Sequence, residues 1–277
     1  MRTARTWGRT DVPVSPASRT PRCDSLRSRI RTGETLLGTF LKSPSAVLVE
    51  VLALAPIDVL YVDLEHAPFT PAELDACLLA ARAGDLPTLV RIAAATPEHI
   101  GRALDLGATG VLAPHVSSAD EARGVARMAR FGPGGRSYAG THRAAGYGTL
   151  TMREHLAAAA ERTAVVVQLE DPAGIAAAAD IAAVDGVDAV FIGPSDLTVA
   201  MGHDDIEHPE VLAAIAGAID AARDRGCAVG ALASGPEALA RHRSQGVTLL
   251  TAGSDQASVL AGARALRAQL DALALEG

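Results

Sequence analysis

The chain has 277 residues, 49% hydrophobic and 3% aromatic, which admits one large domain or two small ones and suits an α/β architecture with strands buried on both faces. Its formal net charge of −7 is uneven, because residues 1–31 carry eight arginines against Asp11 and Asp24. The body is therefore acidic, which excludes the basic face that nucleic-acid binding needs, and no apolar run reaches membrane-span length.

The opening "MRTARTWGRTDVPVSPASRTPRC" has no apolar periodicity and is rich in Ser, Thr and Pro. Residues 1–31 are accordingly expected to be a flexible Arg-rich extension. Being Arg-rich and acid-poor, the segment also fits an organelle transit peptide as an alternative. The three scattered cysteines, Cys23, Cys77 and Cys227, show no metal-type spacing. They point to a reducing compartment, and a cytoplasmic location is expected.

From Thr35 onward, β-branched runs alternate with Ala-rich helical stretches. The predicted strands are LLGTFL (36–41), IDVLYVD (57–63), PTLVR (87–91), TGVLAP (109–114), AVVVQLE (164–170), VDAVFIG (187–193), CAVGAL (227–232) and VTLLTAG (247–253). Between them, segments such as "TPAELDA" and "SSADEA" start with a capping hydroxyl just ahead of acids, as helix N-termini do. Eight strands, most followed by a helix, predict a single-domain (β/α)8 TIM barrel over residues 32–277. No GxGxxG follows the first strand, which removes the usual dinucleotide fingerprint. The long connection from His115 to Thr163 is expected to hold one helix and then a Gly-rich lid, "GPGGRSYAGTHRAAGYG".

In such a barrel the chemistry gathers where the strands end. The second strand ends in Asp63 and runs into Glu65 and His66; the third ends in Arg91. Gln168 and Glu170, two residues apart and hence on one face, close the fifth, and "GPSDL" places Asp196 after the sixth. Asp58 and Asp188 are the acids at the opposite strand ends. Glu170 and Asp196 offer the oxygen ligands that Mg²⁺ or Mn²⁺ prefers. Arg91 suits a substrate carboxylate, and His66 suits proton transfer near neutral pH. Asp63 and Glu65 read as partners that hold local geometry. Each feature also has a plain structural reading: a solvated loop acid, a helix cap at Asp196, an ion-paired arginine.

"YVDLEHAP", "ALDLGATGVLAPHV", "VVQLED" and "GVDAVFIGPSDLTVAMG", in this order, resemble the HpcH/HpaI family of metal-dependent (class II) pyruvate aldolases. The likeness runs from about Leu36 to Ala261. It implies a divalent metal (Mg²⁺ or Mn²⁺, with Co²⁺ a further candidate) held by Glu170 and Asp196. It also implies pyruvate bound near Arg91, Gln168 and the backbone of Ser195 and Asp196, and His66 as acid/base. Asp105, in "ALDLGA", matches an aspartate that orients this histidine from a neighbouring subunit, so a homo-oligomer, a hexamer in the family's usual pattern, is implied. The expected reaction is reversible cleavage of a 4-hydroxy-2-oxoacid to pyruvate and an aldehyde. Alternatives are an acyl-CoA lyase of the same superfamily, a non-catalytic oxoacid-binding barrel, and a Schiff-base aldolase using Lys42, the only lysine. The family's "G-x-RG" loop pattern is broken here, where Arg136 is followed by Ser137.

Overall fold

The computed structural model describes residues 22–275. Eight parallel strands close into a barrel in sequential order: β1 (Leu36–Leu41), β2 (Val59–Asp63), β3 (Thr88–Arg91), β4 (Gly110–Ala113), β5 (Ala164–Leu169), β6 (Ala189–Ile192), β7 (Ala228–Ala233) and β8 (Leu249–Ser254). All eight fall on the predicted runs. The helices in chain order are α1 (Arg22–Arg31), α2 (Ala46–Ala53), α3 (Pro71–Ala83), α4 (Pro97–Asp105), α5 (Ala119–Ala129), α6 (Met152–Arg162), α7 (Pro172–Ala176), α8 (Ala178–Ala182), α9 (Pro194–Ala200), α10 (Pro209–Arg223), α11 (Pro236–Ser244) and α12 (Asp255–Leu275). Among the described residues no helix is long and apolar enough to cross a membrane.

Side chains alternate between two cores. Val59, Tyr61, Leu89, Leu112, Val166 and Phe191 fill the barrel, while Leu60, Val62, Val90, Val111 and Val165 pack outward against the helices. A strand repeats every second residue, so the inward phase can be followed upward. After Phe40 on β1 comes Lys42; after Tyr61 on β2 comes Asp63; after Leu89 on β3 comes Arg91; after Val166 on β5 come Gln168 and Glu170. One parity thus delivers five polar side chains to the C-terminal rim. Tyr61 fits inside because residue 38 is glycine: a Cβ there would lie 2.4 Å from the tyrosine ring.

Two expectations need correction. The last ten residues of the supposedly flexible extension form α1, while residues 1–21 lie outside the described residues. Leu26 and Ile30, four apart on one helix face, are fully buried and join the inner core at the N-terminal end of the barrel. The arginines that gave the segment its solvated look are anchored: Arg27 Nε sits 2.9 Å from Asp188 Oδ1, and Arg29 Nη2 sits 2.8 Å from Asp58 Oδ1. The helix is tied down by these acids distant in sequence and by Glu34, which takes the Arg29 guanidinium at 2.7 Å.

The long connection holds two α-helices rather than one. α6 starts with a capping box in which Thr151 and Glu154 satisfy each other's backbone N–H groups. The Gly-rich stretch before it is anchored away from the C-terminal rim, so it does not act as a lid within this chain. Arg143 donates to the Leu106 carbonyl at 2.8 Å and pairs with Asp75, and Arg136 pairs with Asp105. These contacts tie the stretch to the outer helices.

Candidate active site

The centre of the rim is the pair Asp63–Arg91. The guanidinium donates from Nε to Oδ1 at 2.9 Å and from Nη2 to Oδ2 at 2.7 Å, a two-pronged match. Its carbon lies 4.8 Å from the centroid of the Phe40 ring, which adds a cation–π contact. Asp63 is fully buried and also accepts the backbone N–H groups of Glu65 and His66, so it shapes the turn carrying them. Burial pushes its carboxyl up, but the Arg91 guanidinium outweighs this and holds it below the usual carboxylate range. Asp63 therefore positions Arg91 and the loop, as its place in the sequence suggested. Lys42 Nζ stands 3.6 Å from Asp63 Oδ2.

Next to this pair the charges no longer match. Glu65 Oε2 lies 3.3 Å from Arg91 Nη1 but has no hydrogen-bonding partner. Glu170 is buried; its Oε1 accepts the His115 N–H at 2.7 Å, and its Oε2 accepts from Gln168 Nε2. Burial pushes the Glu170 carboxyl upward, against the opposing pull of the His115 backbone N–H and imidazole. The Gln168 Oε1 atom is buried without a partner. Residue 193 is glycine, and a Cβ there would lie 2.9 Å from Glu170 Cβ as well as from Glu170 Oε2 and Gln168 Nε2, so a larger residue would displace both side chains. This close approach brings the Glu170 carboxylate against the start of α9, whose first turn carries Ser195 and Asp196, both exposed.

A cavity of about 470 Å³ opens here, with Lys42, His66, Arg91, Gln168, Ser195 and Asp196 among its lining residues. The His66 side chain is half exposed, with Nε2 3.9 Å from Glu65 Oε2. Six of the seven residues singled out from the sequence thus converge on one rim. The seventh, Asp105, ends α4 with its carboxylate partly exposed, paired with Arg136 and 3.3 Å from His142 Nε2. Within this chain it makes no contact with His66.

One participant escaped the sequence reading. His115 follows β4 with φ 56°, a left-handed conformation rare for a side-chain-bearing residue. Its imidazole bridges two carboxylates, Nδ1 2.8 Å from Glu170 Oε1 and Nε2 2.8 Å from Glu65 Oε1. Glu65, His115 and Glu170 form a cluster of donor atoms all within 4.8 Å of one another. A buried carboxylate held above its ordinary range, an unpartnered carboxylate oxygen and a nearby imidazole are a donor set that fits a divalent cation.

A closed parallel barrel with carboxylates, an arginine and histidines at its C-terminal rim defines a (β/α)8-barrel enzyme with a metal-compatible site. Residues 36–261 match the model of the family described as HpcH/HpaI aldolase/citrate lyase, and the chain belongs to that family. It is an aldolase-type enzyme. The chain is similar to the 2-dehydro-3,6-dideoxy-6-sulfogluconate aldolase of Pseudomonas putida, 36% identical over 232 residues, covering 83% of this chain and 90% of the relative. A hydroxypyruvate/pyruvate aldolase of Paraburkholderia phytofirmans is 34% identical over 238 residues, covering 83% and 91%. The crystal structure of an HpcH/HpaI aldolase/citrate lyase family protein from Burkholderia cenocepacia superposes with a TM-score of 0.85 at 36% identity, covering 90% of this chain and 99% of that one.

Proposed function

We propose that the protein reversibly cleaves a 4-hydroxy-2-oxoacid into pyruvate and an aldehyde, with Glu170 and Asp196 as carboxylate ligands of a divalent cation. The observation that carries this reading is the surplus of carboxylate at the rim, where Glu65 stands beside an arginine already engaged by Asp63 and shares the His115 imidazole with Glu170. The similar proteins with oxoacid-aldolase names support it. Arg91, fixed by its two-pronged bond to Asp63 and its place over Phe40, presents its remaining N–H groups toward the cavity, where they suit the oxoacid carboxylate and keto oxygen. The cation, when bound, supplies Lewis-acid stabilisation of the negative charge that develops on the keto oxygen as the carbon–carbon bond breaks.

His66 is the proton carrier in this reading. It takes the proton from the C4 hydroxyl, the C3–C4 electron pair moves into the C2 carbonyl, and the aldehyde departs. A proton delivered to C3 completes the pyruvate methyl group. The half-exposed imidazole at the cavity wall can exchange that proton with water. Asp105 would serve this histidine from a neighbouring subunit, which makes assembly into an oligomer, a hexamer in our reading, part of the active state.

A screen of divalent metals against aldehydes, with pyruvate as the common partner, tests the proposal. Aldol addition that disappears on chelation and returns with Mn²⁺ or Mg²⁺ is the expected result. Full activity after complete chelation, with a borohydride-trapped adduct at Lys42, would overturn it in favour of Schiff-base chemistry.

A further inference from the structure

We propose that the cavity between α3, α4, α6 and the Gly-rich stretch is a binding site for a small organic oxyanion, a dicarboxylate or a phosphate ester. It measures about 370 Å³, within the range of small-molecule sites. Thr88 at the start of β3, Thr109 just before β4 and Thr163 just before β5 border it. It therefore lies towards the strand starts, and it shares no lining residue with the cavity at the catalytic rim. The inference is independent of the metal-dependent reading above.

The charge of this recess is out of keeping with the rest of the chain. In a protein of formal net charge −7, Arg82, Arg136, Arg143 and Arg162 line it, with no aspartate or glutamate among the lining residues. A low-dielectric recess lined by one sign of charge focuses the potential and attracts the opposite charge. Two of these arginines are buried, and each meets one acid from outside the lining: Arg143 Nη1 takes Asp75 at 2.8 Å, and Arg136 Nη2 takes Asp105. These pairs do not exhaust the polar atoms. Arg136 Nε is buried with no hydrogen-bonding partner among the described residues, and so are both ring nitrogens of His155, a residue only 2% exposed. Burial outweighs the pull of Asp105 and holds the Arg136 guanidinium below its ordinary pKa. Native proteins rarely leave buried polar atoms unsatisfied, and the planar guanidinium fork suits the oxygens of a carboxylate or phosphate. Leu78, Leu104 and Leu150 add apolar surface to the lining, which suits a short carbon skeleton better than a bare inorganic ion.

Isothermal titration calorimetry of the full-length protein with succinate and with glycerol 3-phosphate tests this, the two probes separating the two head groups. One of them should bind saturably, at one site per chain. Arg136→Gln should weaken that binding by about tenfold or more, as loss of a charge-assisted hydrogen bond does. Arg82→Glu, at an exposed lining position, should weaken it severalfold by reversing the charge. Arg91→Lys, at the catalytic rim, should bind as wild type does. Absence of saturable binding of either probe would overturn the proposal. So would wild-type affinity in both Arg136→Gln and Arg82→Glu, or a loss of binding confined to Arg91→Lys. Should Arg136→Gln not fold, Arg82→Glu decides: weaker binding supports the site, and unchanged affinity overturns it.

Discussion

The two ends of the barrel both bury an aspartate against arginine, and they treat it in opposite ways. At the N-terminal end, Asp188 takes Arg27 at 2.9 Å, Arg130 at 3.3 Å and the Val165 N–H at 2.9 Å. Cations there outnumber the acid, and no atom of Asp188 is left without a partner. At the C-terminal end, Asp63 takes two of the Arg91 nitrogens, the third lies 3.3 Å from Glu65, and Glu65 and Glu170 share one imidazole. The same chemical parts make a closed joint at one end and an open one at the other. A buried site with more negative groups than local partners is stable as part of a folded protein mainly when something else completes it. That contrast locates the chemistry more sharply than any single residue does.

Four substitutions sharpen the contrast, in descending order of effect. Glu170→Gln should lower turnover by about 10³-fold or more, because Lewis-acid stabilisation is worth several kcal/mol, while circular dichroism stays unchanged. Unaltered turnover would break the assignment. At the closed end, Asp188→Ala should leave kinetics of the folded enzyme intact but cost about 2–3 kcal/mol of stability in denaturant titrations, since it strands two partly buried arginines and the Val165 N–H. If that variant were instead stable and slow, the two ends would not be separable in the way described.

Arg91→Lys should reduce turnover about 10²-fold, since an ammonium cannot hold Asp63 with two parallel bonds and still face substrate. The smallest effect is expected outside both ion-pair clusters, at His155, which is buried with neither ring nitrogen hydrogen-bonded. Burial, then the nearby His142 and Arg136, lower its pKa below the ordinary histidine value. The unfolded chain therefore takes up this proton first as pH falls. Stability should be level above about pH 6.5 and decline below it. His155→Phe should flatten that decline in melting temperature measured from pH 7 to 5; an unchanged slope would assign the acid sensitivity elsewhere.

Strand positions were legible because alternation with period two is a local property, and the inward phase runs unbroken from Tyr61 to Asp63 and from Val166 to Glu170. The Asp63–Arg91 contact was legible as two strand ends that neighbour each other. α1 was not: its sequence offers only Leu26 and Ile30 as an apolar stripe, and beyond the nearby Arg29–Glu34 pair its arginines find acids 29 and 161 residues away. The path of the Gly-rich stretch depends likewise on distant pairs, Arg143 with Asp75 and Arg136 with Asp105. α6 did carry a local sign, the Thr151–Glu154 capping box. His115 stood in plain view within "LAPHV", but no spacing rule announces a backbone that turns left-handed.

The helix that packs Leu26 and Ile30 against the barrel floor has a consequence for folding. Both side chains join a cluster drawn from strands at the two ends of the chain, Leu36 on β1 and Leu249 on β8 among them. Their burial is therefore gained in full only once the ring has closed, which ties a segment ahead of the first strand to the arrival of the last.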